Sequence, residues 1–144
     1  MTAWPRWVLT LLLAISSLPP SHAGDGRLEV TVEGLKSSRG RVALALFDSA
    51  ESYAERDEPY RREFVPVDEK ACRWVVEGLP PGDYALIFYH DRNDNRVLDK
   101  NKLGIPKEPY GFSGGAGALF GAPSFDAVRF SVGEGTRALV LRPH

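Results

Sequence analysis

The sequence predicts an all-β protein: a single immunoglobulin-like or transthyretin-like antiparallel β-sandwich of about seven strands, carrying one long ordered loop. Three observations lead there. The dominant hydrophobic period is two rather than 3.6. Clusters of Gly, Pro, Ser and Asp punctuate the chain at short intervals, as in small sandwiches. Residues 24–144, the part left after an N-terminal leader, suffice for one hydrophobic core but not for two.

The leader comes first. Arg6 is the only charge before Asp25, and Trp7 to Leu18 is almost wholly apolar. Pro19, Pro20 and the triplet Ser21-His22-Ala23 follow. A positive start, a short apolar run and a small-x-small site make residues 1–23 a secretory signal peptide. The run is shorter than the roughly 20 residues of a membrane-spanning helix. The expectation is cleavage near Ala23 and a periplasmic or extracellular mature chain without a transmembrane segment. The only cysteine is Cys72, which excludes lipid attachment at a new N-terminal Cys and an internal disulfide. Cys72 alternates with Trp74 and Val76, so it reads as a small buried residue.

The strands follow in order. "RLEVTVEGL" (27–35) sets Leu28, Val30 and Val32 against Arg27, Glu29 and Thr31, the pattern of a half-buried strand. "GRVALALFDS" (40–49) puts Val42, Leu44 and Leu46 on one face and small Ala43 and Ala45 on the other. The intervening "KSSRG" is turn chemistry, so these two strands are expected to form a hairpin. Residues 49–62 read as a charged loop with one short helical turn. "REFVPVD" (62–68) is an edge strand, because Pro66 cannot donate to a ladder. "KACRWVVEGL" (70–79) is another strand. "GLPPGDYALIFYH" (78–90) turns at Pro-Pro-Gly and enters a strand apolar on both faces, hence central. "DAVRFSV" (126–132), "GEG" and "TRALVLRP" (136–143) are expected to close the fold as a last hairpin. Between them, residues 91–125 form a stretch of about 35 residues without a clear strand or helix; ordered loops of that length are often functional.

Composition narrows the function. The 18 Lys and Arg balance the 19 Asp and Glu, with no basic cluster of the kind nucleic acid requires. Within "HDRNDNRVLD" (90–99), Asp91, Asn93, Asn95, the Val97 carbonyl and Asp99 occupy positions 1, 3, 5, 7 and 9 of a calcium loop. Hard oxygen ligands suit calcium better than zinc or copper. Lys102 stands where a bidentate acid belongs and Arg96 where Gly belongs, so the affinity expected is weak, on the order of 10⁻⁴ to 10⁻³ M. The alternative is a set of Asx-turns that need no metal.

"GIPKEPYGFSGGAGALFGAPSF" (104–125) interleaves glycines with Tyr110, Phe112 and Phe120, a composition too aromatic for disorder. Those three aromatics are the candidate anchors for an envelope protein or glycan, with loop 91–99 bracing their base. Two other readings stand beside this non-catalytic module. A hydrolase would use His90 as base, Asp91 or Asp99 as its partner, and Ser113 or Ser124 as nucleophile. However, no nucleophile elbow is present, and His90 continues the buried face of Tyr84, Leu86 and Phe88. A small apolar or aromatic ligand could also bind between loop and sheet. No phosphate-cradling glycine motif occurs.

"YALIFYHDRNDNRVLDKNKLGIPKEPYGFSGGAGALFGAPSFDAVRF" (84–130) resembles the signature of an uncharacterised family of exported bacterial proteins, the domain of unknown function 2141 family. That signature is a central strand ending in His-Asp, then Asn-x-Asn-Gly-x-Leu-Asp, "LGIP-x-E-x-YGFS" and "FG-x-P-x-F". "RVALALFDSAESY" resembles its N-terminal half, so the likeness covers nearly all of residues 27–141. The resemblance implies export and a β-sandwich; it supplies no activity and no catalytic residues. The chain departs from the pattern at Arg96, where Gly is usual. "GLPPGDYAL" also resembles the Pro-Gly-x-Tyr turn of transthyretin-like modules, which bears on fold alone.

Overall fold

The computed structural model describes residues 24–115, 117 and 121–144. The expected signal peptide and Phe120 lie outside the described residues. Eight strands form two packed sheets. They are β1 (Gly26–Val32), β2 (Arg41–Phe47), β3 (Arg61–Pro66), β4 (Cys72–Leu79), β5 (Gly82–Asp91), β6 (Tyr110–Phe112), β7 (Phe130–Val132) and β8 (Gly135–Leu141). Two short helices, α1 (Ala50–Glu55) and α2 (Phe125–Val128), lie between them. Among the described residues no helix is long and apolar enough to cross a membrane.

The three-stranded sheet has the order β4-β1-β8. The five-stranded sheet runs β3-β2-β5, and β5 then pairs with β7 through Gly82–Tyr84 and with β6 through Ile87–Tyr89. Pro66 therefore lies on an edge strand and β5 is central, as the sequence predicts. The alternating apolar residues meet between the sheets. Leu28, Val30, Val32, Leu44, Leu46 and Phe88 are all at most 1 % exposed. Each such side chain contributes about 1.5–3 kcal/mol of transfer free energy.

Neither expected hairpin forms. β1 and β2 belong to different sheets, as do β7 and β8. β1 instead pairs with β8 in parallel, Val30 opposite Leu139, and with β4 antiparallel, Val30 opposite Trp74. The physical reason is edge satisfaction. β1 carries three fully buried residues on its inner face, and its backbone N–H and C=O groups need partners on both sides. β4 and β8 occupy both edges of β1, which leaves no edge for a hairpin partner in β2.

The stretch 91–125 is not structureless. It contains β6, a single 3₁₀ turn over Ser113–Gly115 and the first residue of α2. Ser49 caps α1 by accepting a hydrogen bond from the Ser52 N–H, and Ser124 caps α2 by accepting one from Ala127. The two helices cover one end of the outer face of the five-stranded sheet. There Phe47, Tyr53, Ala85, Phe112 and Val128 form a second buried cluster, and the Tyr53 hydroxyl donates to the Pro123 carbonyl at 2.9 Å.

Candidate functional site

The other end of that outer face is open. Antiparallel register aligns its side chains in rows across four strands. One row is Phe64, Ala43, Tyr89 and Tyr110; the next is Arg62, Ala45, Ile87 and Phe112. The two alanines sit mid-row between large residues, so the floor is concave. The result is a cavity of about 800 Å³. Its far side is built by the 92–109 loop, through Arg96, Val97, Leu98, Lys100, Ile105 and Pro106. Gly121 and Ala122 close one corner.

Two buried carboxylates hold the loop over the floor. Asp91 ends β5 fully buried, and its Oδ1 and Oδ2 accept hydrogen bonds from the Asn95 and Arg96 N–H groups at 3.2 and 2.7 Å. Glu108, also buried, accepts from Arg92 and Asp99 N–H at 3.2 Å each. One acid thus ties the start of the loop and the other clamps its two limbs together. The Lys107 N–H donates to the Asp99 carbonyl and the His90 N–H to the Pro109 carbonyl, completing the base. Glycine is required at two close approaches. Gly40 has φ +75°, and a Cβ there would stand 1.9 Å from the Asp91 carbonyl oxygen. A Cβ on Gly111 would meet the Phe88 ring at 2.5 Å.

Three of the five candidate calcium ligands, Asn93, Asn95 and Asp99, are joined by hydrogen bonds, whereas both Asp91 oxygens are turned to backbone N–H groups. Asn93 Nδ2 donates to Asp99 Oδ2 at 2.7 Å, and Asn95 Nδ2 donates to Asp99 Oδ1 at 3.0 Å. The amide oxygens of Asn93 and Asn95 accept from the N–H groups of Asn95 and Val97, which are Asx-turns. Arg96 has φ +61°, the left-handed conformation that Gly adopts without strain. Among the described residues no three His, Cys, Asp or Glu side chains are grouped as a metal cluster.

The hydrolase candidates are not brought together. The His90 ring is fully buried on the inner face, its Nε2 hydrogen-bonded to the Arg39 carbonyl at 2.6 Å and its Nδ1 without a partner. Asp91, the next residue on the strand, faces the opposite side. Ser113 Oγ is buried, donating to the Val128 carbonyl and accepting from the Leu86 N–H. Ser124 is the α2 cap. The His90 ring thus braces the 33–40 connection, while its backbone N–H holds the base of the long loop.

Of the expected aromatic anchors, Tyr110 is half-buried and Phe112 buried, their rings T-shaped at 6.1 Å. They form a wall of the cavity rather than exposed knobs. Tyr89 stands beside them, its phenol pushed up from the ordinary range by burial and then by the nearby Asp91 and Glu108 carboxylates. Sequence reasoning missed Tyr89, Phe64 and Glu108 as parts of a site. The signal that was available is the doubled apolar face of β2 and β5.

The family model described as "Uncharacterized protein conserved in bacteria (DUF2141)" matches residues 30–139, and the chain belongs to that family. No curated protein and no solved structure matches the chain. The segment "LGIPKEPYGFS" of the family signature supplies Glu108, Gly111 and Ser113. In this structure those residues clamp the loop, allow β6 to approach Phe88, and tie β6 to β5 and α2.

Proposed function

We propose that this DUF2141 protein is an exported, non-catalytic binding module that takes up a component of the cell envelope in the groove between its 92–109 loop and the outer face of the five-stranded sheet. One observation carries the reading: a concave, mostly apolar cavity of about 800 Å³ with Tyr110 and Phe112 in its wall. Pockets of that size and character are the usual form of a small-molecule site. The cavity favours a ligand-sized body held between loop and sheet over a flat protein or glycan contact made by Tyr110, Phe112 and Phe120. Native mass spectrometry of the protein purified from the compartment to which it is exported tests this. A bound mass is expected on the parent chain and absent from Ala45→Leu, which fills the floor. A parent chain that carries no added mass, together with an Ala45→Leu chain retained in the envelope like the parent, would overturn it.

A weak calcium site at Asp91, Asn93, Asn95, Val97 and Asp99 is a second proposal for the same loop. What supports it is the convergence of Asn93 and Asn95 on Asp99. A cation there would require both amides to turn their oxygens toward it, giving up the hydrogen bonds they now make. That exchange keeps the affinity in the weak class.

A further inference from the structure

The groove is apolar in its floor but not neutral at its edge. Arg56, Arg62, Arg96 and Lys100 all contribute to its lining, and no carboxylate does among the described residues. None of these four makes an ion pair with a described residue, although seven ion pairs form elsewhere among the described residues. The carboxylates nearest Tyr89, those of Asp91 and Glu108, are turned to backbone N–H groups of the loop. Two of the cations flank Phe64. The Arg96 guanidinium lies 5.5 Å above the Phe64 ring, and Arg62 is two residues along the same face of β3. The roof is also unusually apolar for a loop. Val97 and Ile105 line the cavity yet are 59 % and 56 % exposed.

Resting on the binding reading above, we infer that the groove holds a monomeric single-chain amphiphile with an anionic head, such as a fatty-acid anion. The head meets Arg62 and Arg96, whose planar guanidinium groups match a carboxylate. The chain lies across Ala43, Ala45 and Ile87 toward Tyr110 and Phe112, under Val97 and Ile105. Four strands at the usual spacing give this floor a width of about 14 Å. Two features argue for this occupant over a neutral apolar ligand or a flat polyanion. Arg62 and Arg96 flank Phe64 on the edge strand, and the rest of the floor offers methyl groups and rings, with the Tyr89 and Tyr110 hydroxyls its only polar groups.

Isothermal titration of residues 24–144 with dodecanoate below its micellar concentration tests the inference. Dodecanol and vesicles of anionic phospholipid are run in parallel. Saturable one-to-one binding of dodecanoate is expected, with dodecanol at least about tenfold weaker, since a charge-assisted hydrogen bond contributes about that factor. The double variant Arg62→Gln/Arg96→Gly should weaken dodecanoate by about tenfold or more while leaving dodecanol unchanged; both positions are exposed, and Gly suits the backbone at 96. Ala45→Leu should abolish both, with an unchanged melt as the folding control. Equal affinity for dodecanol, or an unaffected double variant, would overturn the anionic assignment and leave the groove reading standing if Ala45→Leu still abolishes binding. Binding to vesicles alone would overturn it by placing the ligand in a membrane. Failure of the parent chain to bind either small amphiphile would overturn it outright, and the native mass measurement would then judge the groove separately.

Discussion

The two sheets present outer faces of opposite character. On the three-stranded sheet, Arg27, Glu29, Arg73 and Glu77 point to solvent and pair along β1 and across to β4, and Arg27 and Arg73 hold the Glu29 carboxyl below its ordinary range. On the five-stranded sheet the same positions of the pleat carry Ala43, Ala45, Phe64, Ile87 and Tyr89. A sheet needs one apolar face to build a sandwich. A second apolar face must be covered by something else. Here α1 and α2 cover one end, the 92–109 loop overhangs the other, and a cavity remains between them. The contrast teaches that the informative strand is the one that fails to alternate.

The sharpest way to break this comparison is to truncate an aromatic at each end of the apolar face. Phe47→Ala, under the helices at 2 % exposure, should cost about 3–5 kcal/mol by chemical denaturation, the range for buried Phe. Phe64→Ala, half-buried at the open end, should cost about 1 kcal/mol, in proportion to its burial. Equal losses would mean the open end is core and not a site.

Next in size is the clamp. Glu108→Ala leaves the Arg92 and Asp99 N–H groups without their carboxylate and should cost about 1–3 kcal/mol. Hydrogen exchange should accelerate across 92–107 and not in β1. Uniform acceleration through both sheets would show that the loop and the sandwich unfold as one.

The inner face offers a pH test. Burial pushes the Cys72 thiol up to about 11 from 9.0. The native state therefore keeps a proton that the unfolded chain releases, and this contribution is intact below pH 9 and lost as pH rises toward 11. Stability should fall by up to about 1.4 kcal/mol per pH unit in that window, and Cys72→Ala should remove the part that begins near pH 9. An unchanged slope in the variant would assign the alkaline loss to the tyrosines. Below the window, native Cys72 should resist alkylation.

Calcium gives a small effect, close to that of truncating Phe64. At ten millimolar and a Kd near 10⁻³ M, stabilisation reaches roughly 1.4 kcal/mol. Asp99→Asn is the informative control, because Asp91→Ala would remove a buried cap with or without the metal. No rise in the melt at that concentration would leave the loop held by Asp91, Glu108 and its own hydrogen bonds without a metal.

Period-two alternation, Pro66 and the turn clusters placed six strands, the sandwich class and the central position of β5; they missed β6, and they read 126–132 as one strand where residues 126–128 belong to α2, whose Ser124 cap turns the chain helical, and only Phe130–Val132 is β7. These signals act within a few residues and need no partner. The short polar side chains of residues 91–99 likewise announced a loop that hydrogen-bonds itself. Partners were decided only in three dimensions. Alternation states which face of a strand is apolar but not which strand lies beside it. Hence "KSSRG" and "GEG" read as hairpin turns while the chain crosses between sheets at both. The groove depends on the same long-range information. Ala43 and Ala45 are merely small in the sequence. They become the floor of a cavity because β3, β5 and β6, distant along the chain, set Phe64, Tyr89 and Tyr110 around them. Glu108 is one acid among many until folding brings it under two N–H groups on the opposite limb of the loop. Local propensity therefore determined the elements, and the need to satisfy backbone edges and cover a second apolar face determined their arrangement and the site.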